Sequence, residues 1–130
     1  MTPDTIIIDV TGRIPLAGTH HIAIQAFAPA APEVPVPLLF CLPGGTYSKA
    51  YWHLEVPGRS SYSFAEHLAA QGMLVVTVDH IGTGESSRHP KAVELTPDVV
   101  ACANSVALSE VLARARAGHL FSDTRPLEIG

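Results

Sequence analysis

The run Pro37-Leu38-Leu39-Phe40-Cys41-Leu42 stops at Pro43-Gly44-Gly45-Thr46, and that junction constrains the fold most. The apolar residues Leu38 to Leu42 suit a strand buried in a sheet. Pro43 has no N–H to give to a ladder, and Gly44 and Gly45 carry no side chain to cover the amides that follow. A buried strand is thereby steered into a loop of bare backbone. Enzymes use such amides, at the carboxyl end of a strand, to hold an oxyanion. A second observation limits the first. No serine of the chain has glycine at both minus two and plus two, the setting of a nucleophile on a strained strand-to-helix turn.

The segments around this junction alternate between strand and helix patterns. Thr5 to Val10 is β-branched and apolar, and Thr11-Gly12 closes it. His20 to Phe27 puts Ile22, Ile24 and Ala26 on one face and His21, Ala23 and Gln25 on the other, so the two runs read as an antiparallel hairpin. Ala28 to Pro37 carries four prolines and is a connector. After a long loop, Ser63 and Glu66 have capping-box spacing, and Gly72 suits a left-handed helix end, which predicts a helix over Ser63–Gln71. Met73 to Val78 is apolar apart from Thr77, as in a strand buried on both faces of a parallel sheet. Thr96-Pro97-Asp98 starts a second helix, with Val100, Ala103, Ala107 and Val111 at helical spacing and Gly118 ending it. The last residues, Leu127-Glu128-Ile129, read as the approach to another strand that does not arrive.

The order is β-β-β-α-β-α. A right-handed crossover makes the strands on either side of the first helix a parallel pair, with the hairpin added at one edge. The expectation is one α/β domain over residues 1–130. With 130 residues and 47% hydrophobic content, the chain can bury a real core. A net charge of -4 with no basic patch argues against nucleic acid. Arg114 and Arg116 sit near a helix end and complement its dipole. No apolar stretch approaches the ~20 residues needed to span a bilayer, and the N-terminus lacks a basic n-region. Cys41 and Cys102 have no CxxC partner and are expected as buried, reduced thiols, so the reading is cytoplasmic, with no membrane and no metal or other cofactor.

Two glycine loops follow the two strands that the crossover sets side by side: Pro43-Gly44-Gly45-Thr46 and Asp79-His80-Ile81-Gly82-Thr83-Gly84-Glu85-Ser86. Open α/β sheets bind ligands at such carboxyl ends. With Leu42-Pro43-Gly44-Gly45, Tyr51-Trp52, Tyr62-Ser63-Phe64 with Leu68 and Gly72, and Asp79…Gly82-Thr83-Gly84-Glu85-Ser86, the chain resembles the α/β-hydrolase superfamily, in its serine esterase, lipase and peptidase branch. It departs where the family usually has His-Gly, here Pro43-Gly44, and where it usually has Arg or Pro, here Ile81. The likeness covers about the first 120 residues. It implies a partial α/β-hydrolase sheet, an antiparallel hairpin plus parallel strands with flanking helices, truncated before the nucleophile strand. It also implies that Gly45, with Thr46 as the neighbouring candidate, gives a backbone N–H to the oxyanion hole, while the Asp79–Ser86 loop is architectural. The nucleophile, acid and histidine of the family would follow beyond Gly130.

The resemblance therefore implies the amino-terminal half of an enzyme acting on a small-molecule ester or amide, with this chain alone inactive. The alternative is a non-catalytic module. In the family's sheet the strand Leu38–Leu42 has a further neighbour, and without it a bare edge seeks another chain. That chain would be a second copy or a separate polypeptide carrying the carboxyl-terminal half. Tyr51 and Trp52, with Gly44, are candidates for substrate contact; the two aromatics read first as packing residues and second as one wall of an acyl pocket. Five histidines, His53, His67, His80, His89 and His119, lack zinc spacing, and His20 and His21 point to opposite faces. Ser86 and Ser87 read as turn residues, and Gly82-Thr83-Gly84 lacks the third glycine of a dinucleotide loop. Cys41 sits in an apolar strand with no partner to activate it.

Overall fold

The computed structural model describes residues 2–45, 47–59, 62–123 and 125–130. Four strands, β1 (Ile6–Asp9), β2 (His21–Phe27), β3 (Leu38–Cys41) and β4 (Leu74–Val78), form one mixed sheet in the order β1-β2-β4-β3. Helix α1 (Phe64–Ala70) links β3 to β4, and α2 (Pro97–Ala117) follows β4. The hairpin pairs antiparallel, with Ile6 opposite Ile24 and Ile8 opposite Ile22. β2 then pairs antiparallel with β4, and β4 pairs parallel with β3, with Phe40 opposite Val76. This is the expected α/β arrangement of a hairpin, a parallel pair and flanking helices.

The period-two pattern of the strands divides the core between two faces. Ile8, Ile22, Ile24, Leu74, Val76 and Val78 meet α2 on one face. Phe27, Cys41 and Val75 meet Ala65 and Ala69 of α1 on the other. β4 is therefore buried at every residue, as its unbroken apolar run predicts. β2 is buried at six of its seven residues rather than on one face only, because loops as well as α1 cover its second side. Gln25 on that side donates from Nε2 to the Pro3 carbonyl, 3.0 Å away.

Helix ends follow local chemistry. The Ser63 hydroxyl accepts from the Glu66 amide at 3.0 Å, and Thr96 accepts from the Val99 amide at 3.3 Å. Gly72 and Gly118 take left-handed conformations just past the two helices. The inner face of α2 differs by one residue from the expectation. Val99, Ala103, Ala107, Val111 and Ala115 are buried in steps of four, whereas Val100, one position round the helix, is half-buried. Arg114 makes an i,i+4 contact with Glu110 at 3.0 Å, in addition to its place at the helix end. Cys41 is buried, but Cys102 is only half-buried, because it lies beside the buried stripe of α2 rather than on it.

The carboxyl-terminal residues go further than the sequence pattern indicates. Ile129 forms an isolated parallel bridge with Val36, just before β3. The Val36 amide donates to the Glu128 carbonyl at 2.7 Å, and the Gly130 amide donates to the Val36 carbonyl at 3.1 Å. Beyond that bridge, β3 has no second strand partner among the described residues. No helix of the described residues is long and apolar enough to cross a membrane.

Ile24 is fully buried in β2 between β1 and β4. Ile24→Ala is expected to cost roughly 2–5 kcal/mol in urea denaturation, the cost of a core cavity. Val93→Ala, at a site 85% exposed, is expected to stay within about 0.5 kcal/mol of the parent.

Candidate active site

β3 and β4 run parallel, so the loops after them leave the sheet at the same edge. Between those loops and the start of α2 lies a cavity of about 530 Å³. Leu42 and Gly45 line it from the first loop, His80 and Thr83 from the second, and Val100 and Asn104 from α2. Its walls are mainly apolar, with a few polar groups converging, as in many small-molecule sites.

Gly45 is exposed, and its N–H has no backbone partner among the described residues. The Gly44 carbonyl accepts from the Tyr47 amide at 2.9 Å. A trans peptide sets its C=O and N–H antiparallel, so the Gly45 N–H points away from Tyr47. The fold does not require glycine at this position. A Cβ on Gly45 would meet nothing within 4 Å, and the backbone is not left-handed. Gly84 is the contrast: its φ is +52°, and a Cβ there would lie 2.2 Å from Asp79 Oδ2. Thr46, the second candidate donor, lies outside the described residues.

Tyr51 and Trp52 do not line the cavity. Tyr51 is exposed, and Trp52 packs against the α1 side of the core. The rings of Tyr47, Tyr51, Trp52 and Phe64 follow one another with centroids 5.0–5.1 Å apart. Gly44 adjoins this ribbon, since a Cβ on it would be 3.1 Å from the Tyr47 ring. Three of the candidate residues, Gly44, Tyr51 and Trp52, thus belong to one surface, while Gly45 belongs to the cavity.

The second loop turns most of its polar groups inward. Gly82, Thr83 and Ser86 donate their amides to Ser87, His80 and Thr83 carbonyls, which leaves little for a phosphate. The Ser86 hydroxyl donates to the Asp79 carbonyl at 2.7 Å and accepts from the Ala23 amide at 2.8 Å. The Ser87 hydroxyl accepts from the His21 amide at 2.5 Å. Both serines stitch the loop to β2, in keeping with a turn role. Cys41 is no nucleophile here, because burial pushes its thiol up to about 11. Among the described residues no cluster of three or more His, Cys, Asp or Glu side chains could hold a metal ion.

A buried ion pair joins the two loops, and the sequence patterns do not single it out. Lys49 Nζ lies 2.9 Å from Asp79 Oδ2 and 2.6 Å from Glu85 Oε1. The Lys49 amide donates to Asp79 Oδ1 at 2.6 Å, and the Glu85 amide donates to Asp79 Oδ2 at 2.9 Å. Burial raises the Asp79 carboxyl, but hydrogen bonds from Lys49 and Glu85 more than offset it and hold it below the ordinary aspartate value. Burial lowers Lys49, and its bonds to Glu85 and Asp79 reverse that and raise it. The exposed Glu85 is lowered by hydrogen bonds from Lys49 and Thr5. An aspartate directly after a buried strand is the sequence signal that a partner is needed, because a buried charge must be paired. His80 was also passed over; its Nε2 lies 2.9 Å from the Pro43 carbonyl and its Nδ1 lies 2.9 Å from Asn104 Nδ2.

No family model matches the chain, and no curated protein matches it. Solved structures do. A probable hydrolytic enzyme from Pseudomonas aeruginosa PAO1 superimposes with a TM-score of 0.59 at 22% identity, over 89% of this chain and 32% of that one. A proline iminopeptidase from Mycobacterium smegmatis superimposes with a TM-score of 0.55 at 18% identity, over 83% of this chain and 32% of that one. The likeness is one of fold, that of part of an α/β hydrolase, and the chain spans about a third of the length of each of these structures.

Asp79→Asn leaves Lys49 buried with only Glu85 as a carboxylate partner. It is expected to cost roughly 3 kcal/mol in chemical denaturation, as for a broken buried pair. Glu85→Gln removes an exposed group and is expected to cost much less. The depressed Asp79 contributes stability that is present above the ordinary aspartate value of about 4 and is lost as pH falls below it. The raised Lys49 contributes stability present below the ordinary lysine value of about 10.4 and lost as pH rises past it. Denaturation across pH should therefore show the parent losing its advantage over Asp79→Asn below about pH 4.

Proposed function

We propose that this chain supplies the oxyanion-hole half of a serine α/β hydrolase that cleaves an ester or amide, with Gly45 as a backbone donor. One observation carries the reading. The Gly44–Gly45 peptide is tied so that the Gly45 N–H faces away from Tyr47, without a backbone partner among the described residues, on a residue that lines a cavity at the carboxyl ends of parallel strands. A bare amide held in that way is what a developing oxyanion requires. The open space at its Cα favours a function for the glycine, since the backbone does not demand one. Tyr51, Trp52 and Gly44 take the outer side of the site in this reading, and the cavity takes an apolar part of the substrate.

On this reading the nucleophile is supplied by polypeptide other than these 130 residues. The bridge from Ile129 to Val36 supports a route for it. A strand continuing from Ile129, parallel to β3, would leave the sheet at the same edge as Gly45. Among the described residues two Ser–His contacts exist, Ser63 Oγ to His53 Nδ1 at 2.6 Å and Ser87 Oγ to His21 Nδ1 at 3.1 Å. Each hydroxyl is already engaged by a backbone amide, and neither serine lines the cavity. On this reading the chain by itself is inactive. A fluorophosphonate probe is expected to leave the isolated chain unlabelled; covalent labelling at any serine overturns that reading.

A second reading is a non-catalytic module that pairs through its sheet edge, and the open side of β3 favours it. The same bridge favours a parallel partner, such as a separate carboxyl-terminal half, over symmetric pairing of two β3 edges, which is antiparallel. Light scattering after size exclusion tests self-pairing: a concentration-dependent dimer supports it, and a monomer at high concentration counts against it. In a chain extended through a nucleophile turn, Gly45→Pro removes the donor and is expected to lower kcat about 10²–10³-fold, whereas Gly45→Ala keeps the N–H and the stability.

A further inference from the structure

We propose that His80 and the Asp79–Lys49 pair are positioning residues that hold the Gly45 amide in place, with His80 and Asp79 gripping the two ends of its loop from the end of β4. The inference rests on the oxyanion reading of Gly45 but concerns a different property, the anchoring of its loop at Pro43 and Lys49. A loop containing Gly44-Gly45 has little stiffness of its own. An oxyanion donor acts only if it is held beforehand, so the stiffness must come from elsewhere.

It comes from two consecutive residues. β4 ends at Val78, and Asp79 and His80 follow it. His80 takes the entry of the loop: its Nε2–H donates to the Pro43 carbonyl at 2.9 Å, because that oxygen can only accept. This bond orients the Pro43–Gly44 peptide, and the Gly44–Tyr47 bond orients the next one. Asp79 takes the exit, binding both the amide and the ammonium of Lys49. Lys49 is 6% exposed and opens the short 3-10 turn Lys49–Trp52, so its end of the loop is anchored in the core.

The His80 ring is seated in turn. With its proton on Nε2, Nδ1 accepts from Asn104 Nδ2 at 2.9 Å, and Asn104 stands on α2 among the buried residues of that helix. The loop that carries Gly45 is thus referenced to β4 and α2, the most buried parts of the fold, and not to its own sequence.

The test reads the loop itself and needs no catalysis. Amide hydrogen exchange by NMR is measured at Tyr47 and position 49, whose N–H groups are bonded in the parent, and in β1, β2 and β4. His80→Phe is expected to speed exchange at those two loop positions by about tenfold or more while the strands keep their protection, and Lys49→Met is expected to speed exchange there by about tenfold more than in the strands. Lys49→Arg, which keeps a cation, is expected to stay near the parent. Unchanged loop exchange in both variants overturns the proposal, as does an equal loss of protection in loop and strands. Where His80→Phe does not fold, Asn104→Ala unseats the ring without removing it, and unchanged Tyr47 exchange in that variant is equally contrary. Failure here leaves the oxyanion reading standing, and an inactive extended chain leaves the exchange result standing.

Discussion

Strand β4 has no exposed residue, and that burial places everything around it. A strand covered on both faces needs an element against each, and α1 and α2 supply them. It also needs ladder partners on both sides, and β2 and β3 supply those. Because β3 and β4 run the same way, the loops that follow them meet at one edge of the sheet. The cavity exists because α2 returns across that edge, bringing Val100 and Asn104 opposite Gly45 and His80. Site and core are consequences of the same topology.

The same burial explains the charged network. Asp79 is the first residue past β4 and is fully buried, where an unpaired carboxylate would be costly. Three hydrogen-bond donors from Lys49 and Glu85 meet its two oxygens. Gly84 lacks a Cβ because those oxygens occupy the space. The network therefore dictates sequence at three places, Lys49, Asp79 and Gly84, all outside the strands and the two α-helices. Loops at a ligand edge are usually the least constrained part of a fold; here the second loop is bonded to Lys49 and to β2.

Much of the frame was legible because its signals are local. Ser63 and Glu66, and Thr96 with Pro97, announce helix starts within four residues, and Gly72 and Gly118 mark helix ends by conformation alone. The apolar run before Asp79 reads as a doubly buried strand for the same reason. The ion pair was not legible, because Lys49 and Asp79 are 30 residues apart and a lone lysine in a polar loop looks like surface. His80 was silent likewise; its partners, Pro43 and Asn104, lie 37 and 24 residues away. The choice between Val99 and Val100 on α2 turned on a rotation of one residue, which spacing from Ala103 alone does not decide. Ile129 could be recognised as strand-like, but its partner Val36 lies in a proline-rich connector that carries no strand pattern.

That last contact bears on how the site would be completed. The open side of β3 is bordered at its start by Ile129, and the bridge there is parallel. A parallel neighbour advances in the same sense as β3, about 3.3 Å per residue, so it reaches the level of Pro43 after some seven residues. It arrives beside Leu42, which is 47% exposed and lines the cavity with Gly45. An antiparallel neighbour would instead enter at the cavity and leave at the far edge, carrying its following turn away from Gly45. The direction of one bridge thus favours, among the possible covers for this edge, a strand whose outgoing turn lies beside Gly45.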